Sequence, residues 1–199
     1  MMKSSDTELF SMYRETMTKT RRQFLQRAGG AVFSASSIAI LSGCGTYSTP
    51  ASAETLSQDT KILNTAIAVE HEAIAAYQLG VESGLLSPDA LKVAVKFQGH
   101  HKEHVDALST AVNGLGAEPA KSLASYSFPT EKLKQESDVL QFAAGLERGA
   151  VSAYAGAIPA FENKDLMAAA ASILADEAMH WAILRNALGL DPVPGAFFS

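Results

Sequence analysis

One cysteine, Cys44, among 199 residues excludes an internal disulfide and the small disulfide-stapled folds that depend on several. Charge is sparse as well. Asp, Glu, Lys and Arg make up 19% of the chain, and the formal net charge of -5 comes without a basic stripe interleaved with aromatics, so nucleic acid is excluded as the main partner. No stretch alternates apolar and polar residues as a strand would, which makes the class all-α. Gly84, Gly114, Gly116, Gly189 and Pro192-Val193-Pro194 fall between or after helical patterns, where they act as punctuation. What is abundant is apolar: 47% of a chain whose length suits one compact domain rather than two.

Those apolar residues fall into four seams at helical spacing. The first runs Leu63, Ala66, Glu70, Ala73, Tyr77, and the second Ala94, Phe97, His101, His104, Leu108, Ala111, Leu115. The third runs Leu140, Ala143, Glu147, Ala150, Tyr154, Ala157, Phe161, and the fourth Leu166, Ala170, Ile173, Glu177, His180, Leu184, Ala187. Six ionisable residues, Glu70, His101, His104, Glu147, Glu177 and His180, thus stand near mid-helix where a bundle core expects Leu or Ala. Burying an unpaired carboxylate costs at least about several kcal/mol, so a compensating cation is the economical explanation. Carboxylate oxygens with imidazole nitrogens suit iron or manganese. The competing reading is a metal-free core in which Glu and His satisfy one another.

Neighbouring polar residues read differently. His71, Glu72, His100 and Glu103 lie off the seams and are expected at helix boundaries or in solvent, with Glu72 a substitute ligand and Glu103 one only if its helix rotates. Tyr77 and Tyr154 read as core aromatics whose hydroxyls need a polar partner, and Trp181 as packing.

Helix A is expected from about Ser57 to Ser83, stopped at Gly84. Helix B starts at Ser87-Pro88, where Ser caps and Pro takes the opening turn, and ends near Asn113-Gly114. The short A-to-B loop makes these helices antiparallel neighbours, whereas roughly twenty residues before helix C allow a crossover that leaves B and C parallel. Helix C is capped by Ser137 or Asp138 and closes around Pro159 to Phe161. Asn163 caps helix D, Gly189 ends it, and the tail to residue 199 is expected to pack as a strap. Glu70 with Tyr77 and Glu147 with Tyr154, each seven residues apart, form a weak internal repeat around one pseudo-symmetric centre.

The N-terminal residues 1–43 read as targeting rather than fold. Arg21-Arg22-Gln23-Phe24-Leu25 before the apolar stretch from Ala31 to Leu41 resembles a bacterial twin-arginine export signal, with Met17 an alternative start. Leu41-Ser42-Gly43-Cys44 resembles a lipoprotein box, which implies lipidation at Cys44; cleavage after Ala51-Ser52-Ala53 is the competing outcome. Residues 44–56 are Ser-, Thr-, Ala- and Pro-rich and read as a flexible tether. The expected partners are the twin-arginine machinery and the membrane through a lipid anchor, with a homo-oligomer compatible and the periplasm or the extracytoplasmic membrane face as location.

Residues 57–189 resemble the ferritin-like superfamily, which includes rubrerythrins, bacterioferritins and manganese catalases. Its pattern is Glu on helices A and C and Glu-x-x-His on helices B and D, around two metal ions. Glu70, Glu147 and Glu177-Ala178-Met179-His180 match it, whereas His101 stands where the family has a bridging Glu, ahead of a matching His104. The resemblance implies a four-helix bundle with a long B-to-C crossover and a di-iron or di-manganese centre that handles dioxygen or peroxide. His101 leaves three core carboxylates instead of four, so an asymmetric pair, a single ion and a metal-free core all stay open. No rubredoxin-like cysteines accompany the bundle. A non-catalytic envelope protein is the second functional reading.

Overall fold

The computed structural model describes residues 57–198; Arg21, Arg22, Cys44 and the tether at 44–56 lie outside them. Among the described residues the regular structure is helical: α1 (Gln58–Glu82), α2 (Pro88–Gly114), α3 (Glu136–Ala157) and α4 (Lys164–Ala187), with 3-10 turns at Thr130–Lys132 and Ile158–Ala160. Ser57 caps α1, its Oγ accepting from the Thr60 N–H at 3.2 Å, and Ser87 caps α2 with Pro88 in the opening turn. Asn163 caps α4 through Oδ1, which accepts from the N–H groups of Asp165 and Leu166. Helix α3 starts earlier than the expected Ser137 or Asp138 cap. Asp138 lies inside the first turn and reaches back, its Oδ2 accepting from the N–H groups of Lys134 at 3.0 Å and Gln135 at 3.1 Å. Gly84 and Gly189, at φ 68° and 71°, let the chain leave α1 and α4 through the left-handed region.

Two tertiary hydrogen-bond sets fix the helix directions. Asp59 at the start of α1 accepts from the Glu162 and Asn163 N–H groups, at 2.8 and 3.0 Å, just beyond the end of α3. At the other end the Ser87 N–H, at the start of α2, donates to the Glu136 carboxylate at the start of α3. Helices α2 and α3 therefore run parallel, as the 115–135 crossover requires, and each short loop joins antiparallel neighbours.

Apolar packing is split in two along the bundle. Leu63, Ile67, Leu108, Val112, Tyr154 and Ile173 belong to one cluster, and Tyr77, Ala94, Phe97, Leu140, Ala143 and Leu184 to the other. The polar seam residues occupy the gap. Near the C-terminus of α2 the expected Ala111 packs against the core beside a wholly buried Val112, but the expected Leu115 is exposed. Leu115 is the cap residue of α2, where the N–H of Ala117 turns back to the Val112 carbonyl, so the helical period no longer governs its direction. The tail does not form the expected strap over residues 189–196. Val193 is 70% exposed, and the segment is tied by Arg185 Nε donating to the Asp191 carbonyl at 2.6 Å. No described helix is long and apolar enough to cross a membrane.

Candidate metal centre

Four helices bring all six seam residues together at the bundle midpoint. Glu70 comes from α1, His101 and His104 from α2, Glu147 from α3, and Glu177 and His180 from α4. Glu70, His101, Glu147, Glu177 and His180 are 1% exposed or less. Their donor atoms form two overlapping groups, Glu70-His101-His104-Glu177 and His101-Glu147-Glu177-His180, each compact enough to surround one cation. His101 and Glu177 belong to both.

The arrangement is close to two-fold symmetric. The Tyr154 hydroxyl on α3 donates to Glu70 Oε1 on α1 at 2.6 Å, and the Tyr77 hydroxyl on α1 donates to Glu147 Oε1 on α3. The polar partners expected for the two tyrosine hydroxyls are thus the opposite carboxylates. His101 sits between, with Nδ1 2.8 Å from Glu70 Oε2 and Nε2 3.4 Å from Glu147 Oε1. A neutral ring has one lone pair, so it can serve one group of donors at a time and the two positions are unequal.

Electrostatics follow from this crowding. Burial disfavours the charged rings, but the carboxylates facing them outweigh it and hold His101 up at about 10 and both His104 and His180 at about 9. Burial also pushes Glu70 and Glu147 upward. The adjacent imidazoles overcome it, His101 and His104 at Glu70 and His101 and His180 at Glu147, and both carboxyls lie below the ordinary range. Burial and the Glu147 charge raise the Tyr77 phenol, and burial with Glu70 raises that of Tyr154, so both remain proton donors. Three carboxylates and three imidazolium rings can therefore neutralise one another without metal.

That network leaves donors unused. Glu147 Oε2, both Glu177 oxygens and His180 Nδ1 are buried without a hydrogen-bond partner. Their neighbours are near, with Glu177 Oε1 3.1 Å from His104 Nδ1 and Glu147 Oε2 3.5 Å from His180 Nδ1, but not aligned to bond. Orphaned buried polar atoms converging from two helices fit a divalent cation once His180 gives up its Nδ1 proton. Iron or manganese suits their oxygen and nitrogen chemistry.

His100 and Asp176 were not expected at the site. Asp176 Oδ2 lies 3.2 Å from His180 Nε2 and 3.4 Å from His104 Nε2, on the side of each ring away from the buried carboxylates. Its charge faces both Nε2 atoms, while the hydrogen bonds of this group run through His100 Nδ1. His100 Nδ1 lies 2.8 Å from His180 Nε2 and 3.1 Å from Asp176 Oδ2, so the off-seam residue faces α4 rather than open solvent. The four-residue spacings Asp176/His180 and His100/His104 were the available signal. Glu72 and Glu103 join none of the metal-compatible groups, and Trp181 packs against the cluster of Tyr77, Phe97 and Leu184 with Arg185 stacked 5.0 Å from its ring. A cavity of about 240 Å³ lies against Tyr154, lined also by Ile62, Ala66, Val69, Leu108 and Phe161.

Comparison with known proteins agrees with this geometry. Residues 58–190 match the Ferritin-like domain family. Among solved structures, a conserved hypothetical protein, rv2844, from Mycobacterium tuberculosis is similar at 24% identity and a TM-score of 0.61, over 70% of this chain and 96% of that one. That likeness speaks for the fold alone. Comparison with curated proteins gave no match. On the family match and the four-helix bundle around a buried Glu/His cluster, the chain belongs to the ferritin-like domain family.

Proposed function

We propose that the chain is an exported, lipid-anchored ferritin-like protein that holds iron or manganese at Glu70, His101, His104, Glu147, Glu177 and His180 and handles dioxygen or peroxide there. The observation that carries this reading is the set of orphaned donors on Glu147, Glu177 and His180. A bound iron or manganese pair would supply the electrons for reducing an oxidant. The chain's own residues would fix the geometry: Glu177 lies between the two positions, and Tyr77 and Tyr154 hold one oxygen each of Glu147 and Glu70. The Asp176 charge, 3.2 and 3.4 Å from the Nε2 atoms of His180 and His104, would favour protons on those nitrogens and so leave both Nδ1 lone pairs for the cation. The half-open cavity at Tyr154, mainly apolar with Gln58, Lys61 and Thr65 also on its wall, offers room for a small organic substrate.

The second reading is a non-catalytic envelope protein with a self-neutralised core. The raised histidines and lowered carboxylates favour it, since the charges balance without metal. Metal content separates the two. Iron, manganese and zinc per chain are measured for wild type, His101→Glu and Glu177→Ala after identical loading. The expected order is highest in His101→Glu, which restores the fourth carboxylate, and lowest in Glu177→Ala, which removes the donor shared by both positions. Equal, near-zero content in three folded proteins overturns the metal reading.

A further inference from the structure

His100, Asp176 and His180 form a third group whose geometry differs from the buried pair. The three facing atoms, His100 Nδ1, Asp176 Oδ2 and His180 Nε2, are 2.8, 3.1 and 3.2 Å apart. Neighbouring ligands on an octahedral cation with bonds of about 2.1 Å are separated by about 3.0 Å, whereas tetrahedral ligands stand about 3.4 Å apart. Without an ion the three atoms are linked by hydrogen bonds through His100 Nδ1, and their spacing is that of one octahedral face. Two imidazoles and one carboxylate on such a face leave the opposite positions open, a donor set suited to a divalent transition cation. The side chains of His100 and Asp176 are 30% and 24% exposed, while that of His180 is 1% exposed, so the group reaches from solvent to the buried carboxylates.

From this geometry we infer an outer divalent-cation site at His100, Asp176 and His180, through which the ion reaches the buried centre. The inference of passage rests on the metal reading of that centre; the outer site itself does not. His180 is the shared element. Its Nε2 faces the outer group, and its Nδ1 lies 3.5 Å from both Glu147 Oε2 and Glu177 Oε2. A neutral imidazole offers one lone pair, so the outer ion and an ion between Glu147 and Glu177 compete for this ring. With the ion outside, Nε2 is the ligand and Nδ1 keeps the proton. With the ion inside, Nδ1 would be the ligand and the proton would sit on Nε2, facing His100 Nδ1 and Asp176 Oδ2. Inward transfer therefore exchanges one proton between the two nitrogens of one ring and changes neither net charge nor oxidation state. His100 touches none of the buried carboxylates in the contacts described, so removing it separates entry from final binding.

The test uses cobalt(II), counted per chain at equilibrium and followed in time by its visible absorption, on the purified protein. A Glu70→Gln/Glu147→Gln variant should retain one cobalt(II) per chain, and adding His100→Ala should remove it. In the otherwise native chain, His100→Ala should reach the wild-type final content at least tenfold more slowly. A Glu70→Gln/Glu147→Gln protein that binds none while wild type binds two overturns the outer site and leaves the centre standing. One ion in wild type that disappears in His100→Ala supports the outer site and overturns the centre. Identical loading rate and content in wild type and His100→Ala overturns the route. If the double variant does not fold, wild-type crystals soaked briefly in cobalt(II) decide: anomalous density at His100 and Asp176 before the centre fills supports the site, and filling of the centre alone overturns it.

Discussion

Removing metal should make stability fall steeply at alkaline pH. His101 at about 10, and His104 and His180 at about 9, stand above the ordinary imidazole value of 6.5 that the unfolded chain would show. A group with a raised folded pKa contributes its full stability below 6.5 and loses it as pH rises through the folded value. Moving one ring from 6.5 to about 9 corresponds to about 3 kcal/mol. The three rings share Glu70, Glu147 and Glu177, so their contributions do not add, and the expectation is a loss of at least one ring's worth, about 3 kcal/mol or more, between pH 6.5 and 10. On the acid side Glu70 and Glu147, with lowered values, contribute stability above 4.5 that is lost as pH falls. The metal-free protein should therefore be most stable between about pH 4.5 and 6.5. Urea unfolding of chelator-treated protein at pH 6.5, 7.5, 8.5 and 9.5 measures the loss directly. Nitrogen-15 spectra of the imidazoles give the protonation midpoints independently. In metal-loaded protein the same histidines are already deprotonated, and the alkaline loss should shrink. A flat metal-free stability over that range, with all three rings titrating near 6.5, would refute the charge network.

Other expectations concern single contacts. Asp59→Ala removes the carboxylate that accepts from the Glu162 and Asn163 N–H groups, and chemical denaturation should show a loss of about 2 kcal/mol. Tyr154→Phe deletes the 2.6 Å hydrogen bond to Glu70 and should cost the metal-free protein about 1.5–3 kcal/mol; no change would mean that Glu70 finds another donor. Changing Arg21 and Arg22 together to Lys should trap precursor in the cytoplasm, read by cell fractionation, and Cys44→Ala should release the mature protein from membranes.

The sequence carried the bundle and its polar centre because both obey the helical period. Glu70, Glu147, Glu177 and His180 replace apolar residues at positions that bury, and all four did bury. Glycine and N-cap positions marked the helix ends to within a residue or two, except where Asp138 bonds backward instead of capping α3. The outer group was not legible. His100 is one position from His101, and only the angle at which α2 meets α4 decides that it faces Asp176 instead of water. Nor could spacing show that the two ring nitrogens of His101 face different carboxylates, since that depends on a side-chain torsion. At the α2 terminus Val112, four residues past Leu108, keeps the period and is buried, whereas Leu115 turns outward because the capping turn overrides it.

The central claim, a metal centre shared by Glu177 and His101, is tested most directly by anomalous diffraction from crystals of protein loaded with manganese or iron. The expected result is density between Glu70, His104 and Glu177, or between Glu147, Glu177 and His180, or at both positions, within bonding distance of a Glu177 oxygen. Density confined to other parts of the chain, or none at the manganese or iron edge in a well-ordered bundle, would contradict it.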